Sequence, residues 1–188
     1  MRRQEFHGRR TRRAGTIGLR RQIRKAGERP VIALKRLIGL PVVQGGEALG
    51  YVERGVLTEG ATRLRGVVVR KGLGMAHWFP RAQIELIGRQ CVLVRGEPER
   101  PPKPAGRELG CCYVSECAGL VTDALLLEGS LRVAALEVSA GPLFSLAGPK
   151  RYAVEYRVRT PRKGESGEVI AAGLLTWQQM LDRMGKEE

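Results

Sequence analysis

The sequence predicts an all-β protein: two small antiparallel β-barrels in tandem, preceded by a basic arm and followed by a short helix. Three observations predict it. Residues 50–60, GYVERGVLTEG, are answered 69 positions later by residues 119–129, GLVTDALLLEG. Each phrase opens a pair of runs rich in Val, Leu and Thr that are joined through a Gly-containing turn, the pattern of a β-hairpin. Between the copies, residues 96–107 read GEPERPPKPAGR and hold four of the ten prolines, which neither a helix nor a central strand tolerates.

The arm, residues 1–34, comes first. Residues 1–29 hold eleven Arg and Lys against Glu5 and Glu28, so they carry most of the formal net charge of +14. Arg pairs spaced by Gly, Thr and Ala offer too little apolar surface to offset ordering entropy, and residues 1–15 are expected to be disordered. From Thr16 onward, Leu19, Ile23 and Ala26 fall at helical spacing among Arg20, Arg21, Arg24 and Lys25. A short basic amphipathic helix is expected there, marginal if isolated. Such an arm suits RNA, DNA or an anionic lipid surface through charge neutralisation, or it is a solvated tail.

The first repeat unit spans residues 35–96 and the second residues 108–175, with the linker at 97–107 and a helix or tail over 176–188. At an offset of 69 the copies align without a gap from Gly50 to Gly72: Val52 meets Val121, Leu57 meets Leu126, Arg63 meets Arg132 and Val69 meets Val138. Strands are expected over 51–58, 63–70, 76–79 and 91–95, and again over 120–127, 131–138, 152–158 and 169–174. Short strands at this spacing favour closure into a small barrel, which removes exposed edges and fills its interior with its own side chains. At the end, Leu175, Met180, Leu181 and Met184 recur at helical spacing.

The first copy resembles the PRC-barrel domain, the family of the photosynthetic reaction centre H subunit and of the C-terminal domain of a bacterial ribosome maturation factor. The residues that carry the resemblance are Leu37, Ile38, Gly39, Pro41, Val42, Gly50, Val52, the run 67–69, Phe79, Pro80 and Ile84. The second copy matches from Gly110 to Gly141 and lacks the Phe-Pro-x-x-x-Ile corner. The resemblance implies two tandem PRC-type barrels in a bacterial chain, and with no secretion signal read in the sequence a cytoplasmic setting is expected. The resemblance further implies a non-enzymatic binding or adaptor protein in protein–protein or ribonucleoprotein association, with an RNA-binding accessory factor in ribosome or RNA maturation as the alternative.

Chemistry-bearing patterns are scarce. Cys111, Cys112 and Cys117 form CC-x4-C, with Cys91 in the other unit, but the two histidines, His7 and His77, stand apart from them. Without a second pair the cysteines read as small apolar residues, and no metal is expected. Gly164-Glu165-Ser166-Gly167 lacks the frame of a nucleophile elbow, and no phosphate-binding or dinucleotide loop occurs. No enzyme, cofactor or small-molecule substrate is expected. No apolar run approaches the ~18 residues of a membrane span, and no apolar segment follows the basic N-terminus, so a soluble chain without a cleaved secretion signal is expected.

One difference between the copies concerns function. Arg54, Arg65, Arg70 and Lys71 correspond to Asp123, Ala134, Ser139 and Ala140. With Arg20, Arg21, Arg24 and Lys25 of the arm, they form the candidate contact set for RNA phosphates or an unknown acidic protein partner, with a plain solvated strand face as the alternative for the first-unit residues.

Overall fold

The computed structural model describes residues 31–102, 112–114, 119–141, 149–159 and 167–185. The first half runs through β1 (Val31–Ala33), a 3-10 turn (Leu34–Leu37), β2 (Pro41–Gln44), β3 (Glu47–Leu57), β4 (Leu64–Arg70), β5 (His77–Pro80), a second 3-10 turn (Arg81–Gln83), β6 (Ile84–Ile87) and β7 (Val92–Val94). The second half runs through β8 (Cys112–Val114), β9 (Gly119–Leu127), β10 (Val133–Ser139), β11 (Arg151–Ala153), β12 (Tyr156–Arg159), β13 (Gly167–Ala171) and α1 (Trp177–Met184).

The strands form two open mixed sheets, ordered β5-β4-β3-β2-β7-β6 and β11-β10-β9-β8-β13-β12. Neither sheet closes, so the expected tandem barrels are absent and the resemblance to the PRC-barrel fold is overturned. The ladders are not wholly antiparallel either, because β2 pairs with β7 and β8 with β13 in parallel. Closure of the first sheet would require β5 to pair with β6. Instead Trp78 of β5 exchanges both backbone hydrogen bonds with Glu99, each 2.9 Å. Tyr152 of β11 does the same with Leu175, again at 2.9 Å. The connecting segments thereby occupy the outward-facing donor and acceptor of Trp78 and of Tyr152, where a closing strand would have to pair.

What recurs in the two halves is an open strand order and a bulged hairpin, not a barrel. Both hairpins carry register shifts at positions 69 apart. In β3–β4 the pairing slips between Val52 and Arg54 and between Val56 and Leu57. In β9–β10 it slips between Val133 and Ala135 and between Glu137 and Val138. Glu53 and Arg65 are therefore the extra residues of the first hairpin, and Thr122 and Ala134 those of the second. A bulge sharpens the local twist and re-aims the side chains beyond it.

The expected strand over 152–158 is two strands, because the chain turns at Val154 and Glu155 and sends β11 and β12 to opposite edges of their sheet. β1 pairs with β9, so a segment preceding the first sheet completes the second.

One apolar core joins the halves. Leu37, Val52, Leu64, Val67, Val69 and Phe79 pack in a single cluster with Val121, Leu126, Leu136, Val138 and Val169. The outer face of the second sheet is covered as well: Met180 of α1 is fully buried in a cluster with Leu125, Ala135 and Tyr152. That cover explains why β9 is buried on both faces while β3 alternates. The helix begins at Thr176, whose hydroxyl accepts from the Gln179 N–H while the Gln179 side chain accepts from the Thr176 N–H, a reciprocal capping box. No helix among the described residues is long and apolar enough to cross a membrane.

Candidate functional site

The four arginine and lysine positions singled out in the first half are spread along β3, β4 and the turn that follows. Arg65 lies at the hairpin end of β4 and Arg70 at its far end, five residues and therefore about 17 Å apart along the strand. Arg54 is half-buried opposite Val68, and Lys71 is exposed just past Arg70. Arg20, Arg21, Arg24 and Lys25 lie outside the described residues, as do Cys111 and Cys117. Cys91 is a half-buried free thiol beside β7.

Arg70 has a defined task. Its Nε and Nη2 donate to the two carboxylate oxygens of Glu53, both at 3.1 Å, and its Nη1 donates to the Gly74 carbonyl at 3.0 Å. The fork geometry of guanidinium allows both sets of bonds at once. Glu53, the bulged residue of β3, lies two positions from Tyr51, the strand partner of Arg70. The Gly74 N–H closes the loop by donating to the Lys71 carbonyl at 3.1 Å. Residues 71–75, Lys-Gly-Leu-Gly-Met, are thereby held as a formed projection between β4 and β5.

The side chains on that projection touch little of the protein. Leu73 is 106% exposed and Met75 83%, and Tyr51, the strand partner of Arg70, is 60% exposed. Single exposed apolar residues are ordinary, but Leu73 and Met75 share one loop braced by an ion pair, with Tyr51 exposed on the neighbouring strand β3. Sequence reasoning passed over Leu73 and Met75. The available signal was their placement in a Gly-x-Gly turn, where no strand or helix face could bury them.

The other cluster of polar groups lies in the second hairpin. Asp123 and Glu137 are directly opposed strand partners, and both are buried. One Asp123 oxygen accepts the backbone N–H of Ala124 at 2.8 Å and that of Lys35 at 3.1 Å, tying the first 3-10 turn to β9. Glu137 accepts from the Thr122 hydroxyl at 2.9 Å and from the Lys150 ammonium at 3.0 Å. Burial raises the Asp123 carboxyl above its ordinary value and Glu137 adds to the rise, while the two backbone donors and Lys35 oppose it. The hydrogen bond to Glu137 raises Lys150, and burial raises the Tyr152 phenol. Asp123 and Glu137 are thereby hydrogen-bonded to backbone and side-chain donors around their hairpin.

Two shallow clefts run along the β6 side, of about 40 and 50 Å3. Small-molecule sites span roughly 300–1,000 Å3, so neither cleft encloses a metabolite. Among the described residues no three His, Cys, Asp or Glu side chains are placed to share a metal ion.

Without a barrel, the adaptor and RNA-maturation roles that the resemblance implied lose the element that was to perform them. No family model matches the chain, and no curated protein matches it.

Proposed function

We propose that this chain is a non-catalytic surface-docking protein whose contact element is the projection at residues 71–75. The observation that carries this reading is the near-complete exposure of Leu73 and Met75 on a loop that Arg70 braces through Glu53 and Gly74. A preformed loop binds with little ordering cost, and exposed apolar side chains gain free energy when a second surface removes them from water. The reading needs neither a barrel nor RNA.

Site-specific photocrosslinking tests it. A benzophenone side chain at position 73 should give a discrete adduct in cells, and one at Ile170, an exposed apolar position on the other sheet, should not. Arg70→Ala, which frees the loop, should weaken the adduct severalfold. Equal labelling at positions 73 and 170, or none at 73, overturns the reading.

A further inference from the structure

The projection has the form of an insertion tip. Leu73 and Met75 are each flanked along the chain by residues of little bulk, Gly72, Gly74 and Ala76, and both are almost wholly exposed. A protein hot spot relies on a packed patch ringed by contacts that exclude water, whereas these two side chains stand almost wholly in solvent. Arg70 and Glu53 at its base form an ion pair that is neutral overall, and the exposed Lys71 beside the tip adds one positive charge. The whole chain carries a formal +14, most of it within residues 1–29.

We infer that the tip docks on an anionic lipid bilayer, with Leu73 and Met75 entering the boundary between headgroups and acyl chains and Lys71 at the level of the phosphates. This rests on the docking reading above and names the surface that is docked. A few apolar atoms hold a protein only marginally on a membrane, and stable attachment takes a second signal, commonly a polybasic segment. Both signals are present: the tip supplies an apolar contact that salt does not screen, and the basic chain supplies attraction that salt does screen.

The test uses the full chain with vesicles of phosphatidylcholine containing about one third phosphatidylglycerol, and with pure phosphatidylcholine vesicles as comparison. Flotation should recover the protein with the anionic vesicles only. Leu73→Ser combined with Met75→Ser should weaken that binding about tenfold with the melting temperature unchanged, because both side chains lie in solvent. A Met75→Trp variant should show fluorescence quenched by lipids brominated near the headgroup, beyond the contribution of Trp78 and Trp177. Wild-type affinity in the double Ser variant, or an unquenched Trp at position 75, means adsorption by charge alone and overturns the inference. Absence of binding to anionic vesicles also overturns it. If the position-73 crosslink to a protein then persists, the docking reading stands with a protein as its partner. If that crosslink is missing too, both fail.

Discussion

Arg63 and Arg132, 69 residues apart, face each other as a single antiparallel bridge where the two sheets meet. The flanking hydrogen bonds are a matched pair: the Leu64 N–H donates to the Leu131 carbonyl and the Val133 N–H to the Thr62 carbonyl, each 2.9 Å. Adding 69 to donor Leu64 gives donor Val133, and subtracting 69 from acceptor Leu131 gives acceptor Thr62, so swapping the two copies maps one bond onto the other. The two hairpins are therefore related by a local two-fold axis that passes between the two arginines. The shared core gathers around that junction.

The bridge places two exposed cations side by side, and directly opposed like charges destabilise a strand pair. Arg63→Glu should stabilise the protein by roughly 0.2–1 kcal/mol, read as a higher urea midpoint. Reversing both residues together should cancel most of the gain. A midpoint unmoved by the single change would mean that the two side chains do not meet.

Tyr156 links the halves from another direction, with its hydroxyl donating to the Ala61 carbonyl at 2.8 Å across 95 positions of sequence. Burial pushes its phenol well above the ordinary value, so it remains a donor throughout the stable pH range. Tyr156→Phe should cost about 1 kcal/mol, since it leaves a carbonyl without its donor. Chemical denaturation at pH 6 and pH 9 should show the same loss.

Asp123 makes stability depend on pH with a defined sign. Its carboxyl is raised in the folded chain, mainly by burial, so the folded state holds that proton more tightly than the unfolded state does. Stability from this group should rise as pH falls from neutral through the folded value toward 3.8, and should be lost as pH climbs back. Asp123→Asn retains an oxygen for the Lys35 and Ala124 N–H groups and removes the charge facing Glu137. The variant should melt higher than wild type at pH 7, with the difference shrinking toward pH 4. A lower melting temperature at pH 7 would show that attraction to Lys35 and Lys150 outweighs burial.

Gly66 sits beneath the Trp78 ring on the outer face of the first sheet. A Cβ there would meet the Phe79 carbonyl oxygen at 2.4 Å and two ring carbons of Trp78 at 2.6 Å. Gly66→Ala should destabilise by about 1–3 kcal/mol through overpacking. Trp78 is 4% exposed, so its displacement should also appear as a red shift in fluorescence.

The sequence by itself determined the two hairpins. Gly-x-Val before an apolar run, an intervening Gly turn and a second Val- or Leu-rich run are local patterns, and β3–β4 and β9–β10 form where those patterns lie. The C-terminal helix was equally legible, because Thr176 and Gln179 form its cap from within four residues. The tertiary structure alone decided whether the sheets close. That depended on Glu99 and Leu175 taking the edges of β5 and β11 from 21 and 23 residues away, respectively, and no local pattern encodes which segment reaches an edge. It also decided the fate of individual side chains. Asp123 and Glu137, charged in sequence, became buried because α1, Lys35 and Lys150 surround their hairpin, while apolar Leu73 and Met75 stayed in water on a braced turn. Hydrophobic period and turn chemistry act over a few residues, whereas edge pairing and burial are set by partners distant in sequence.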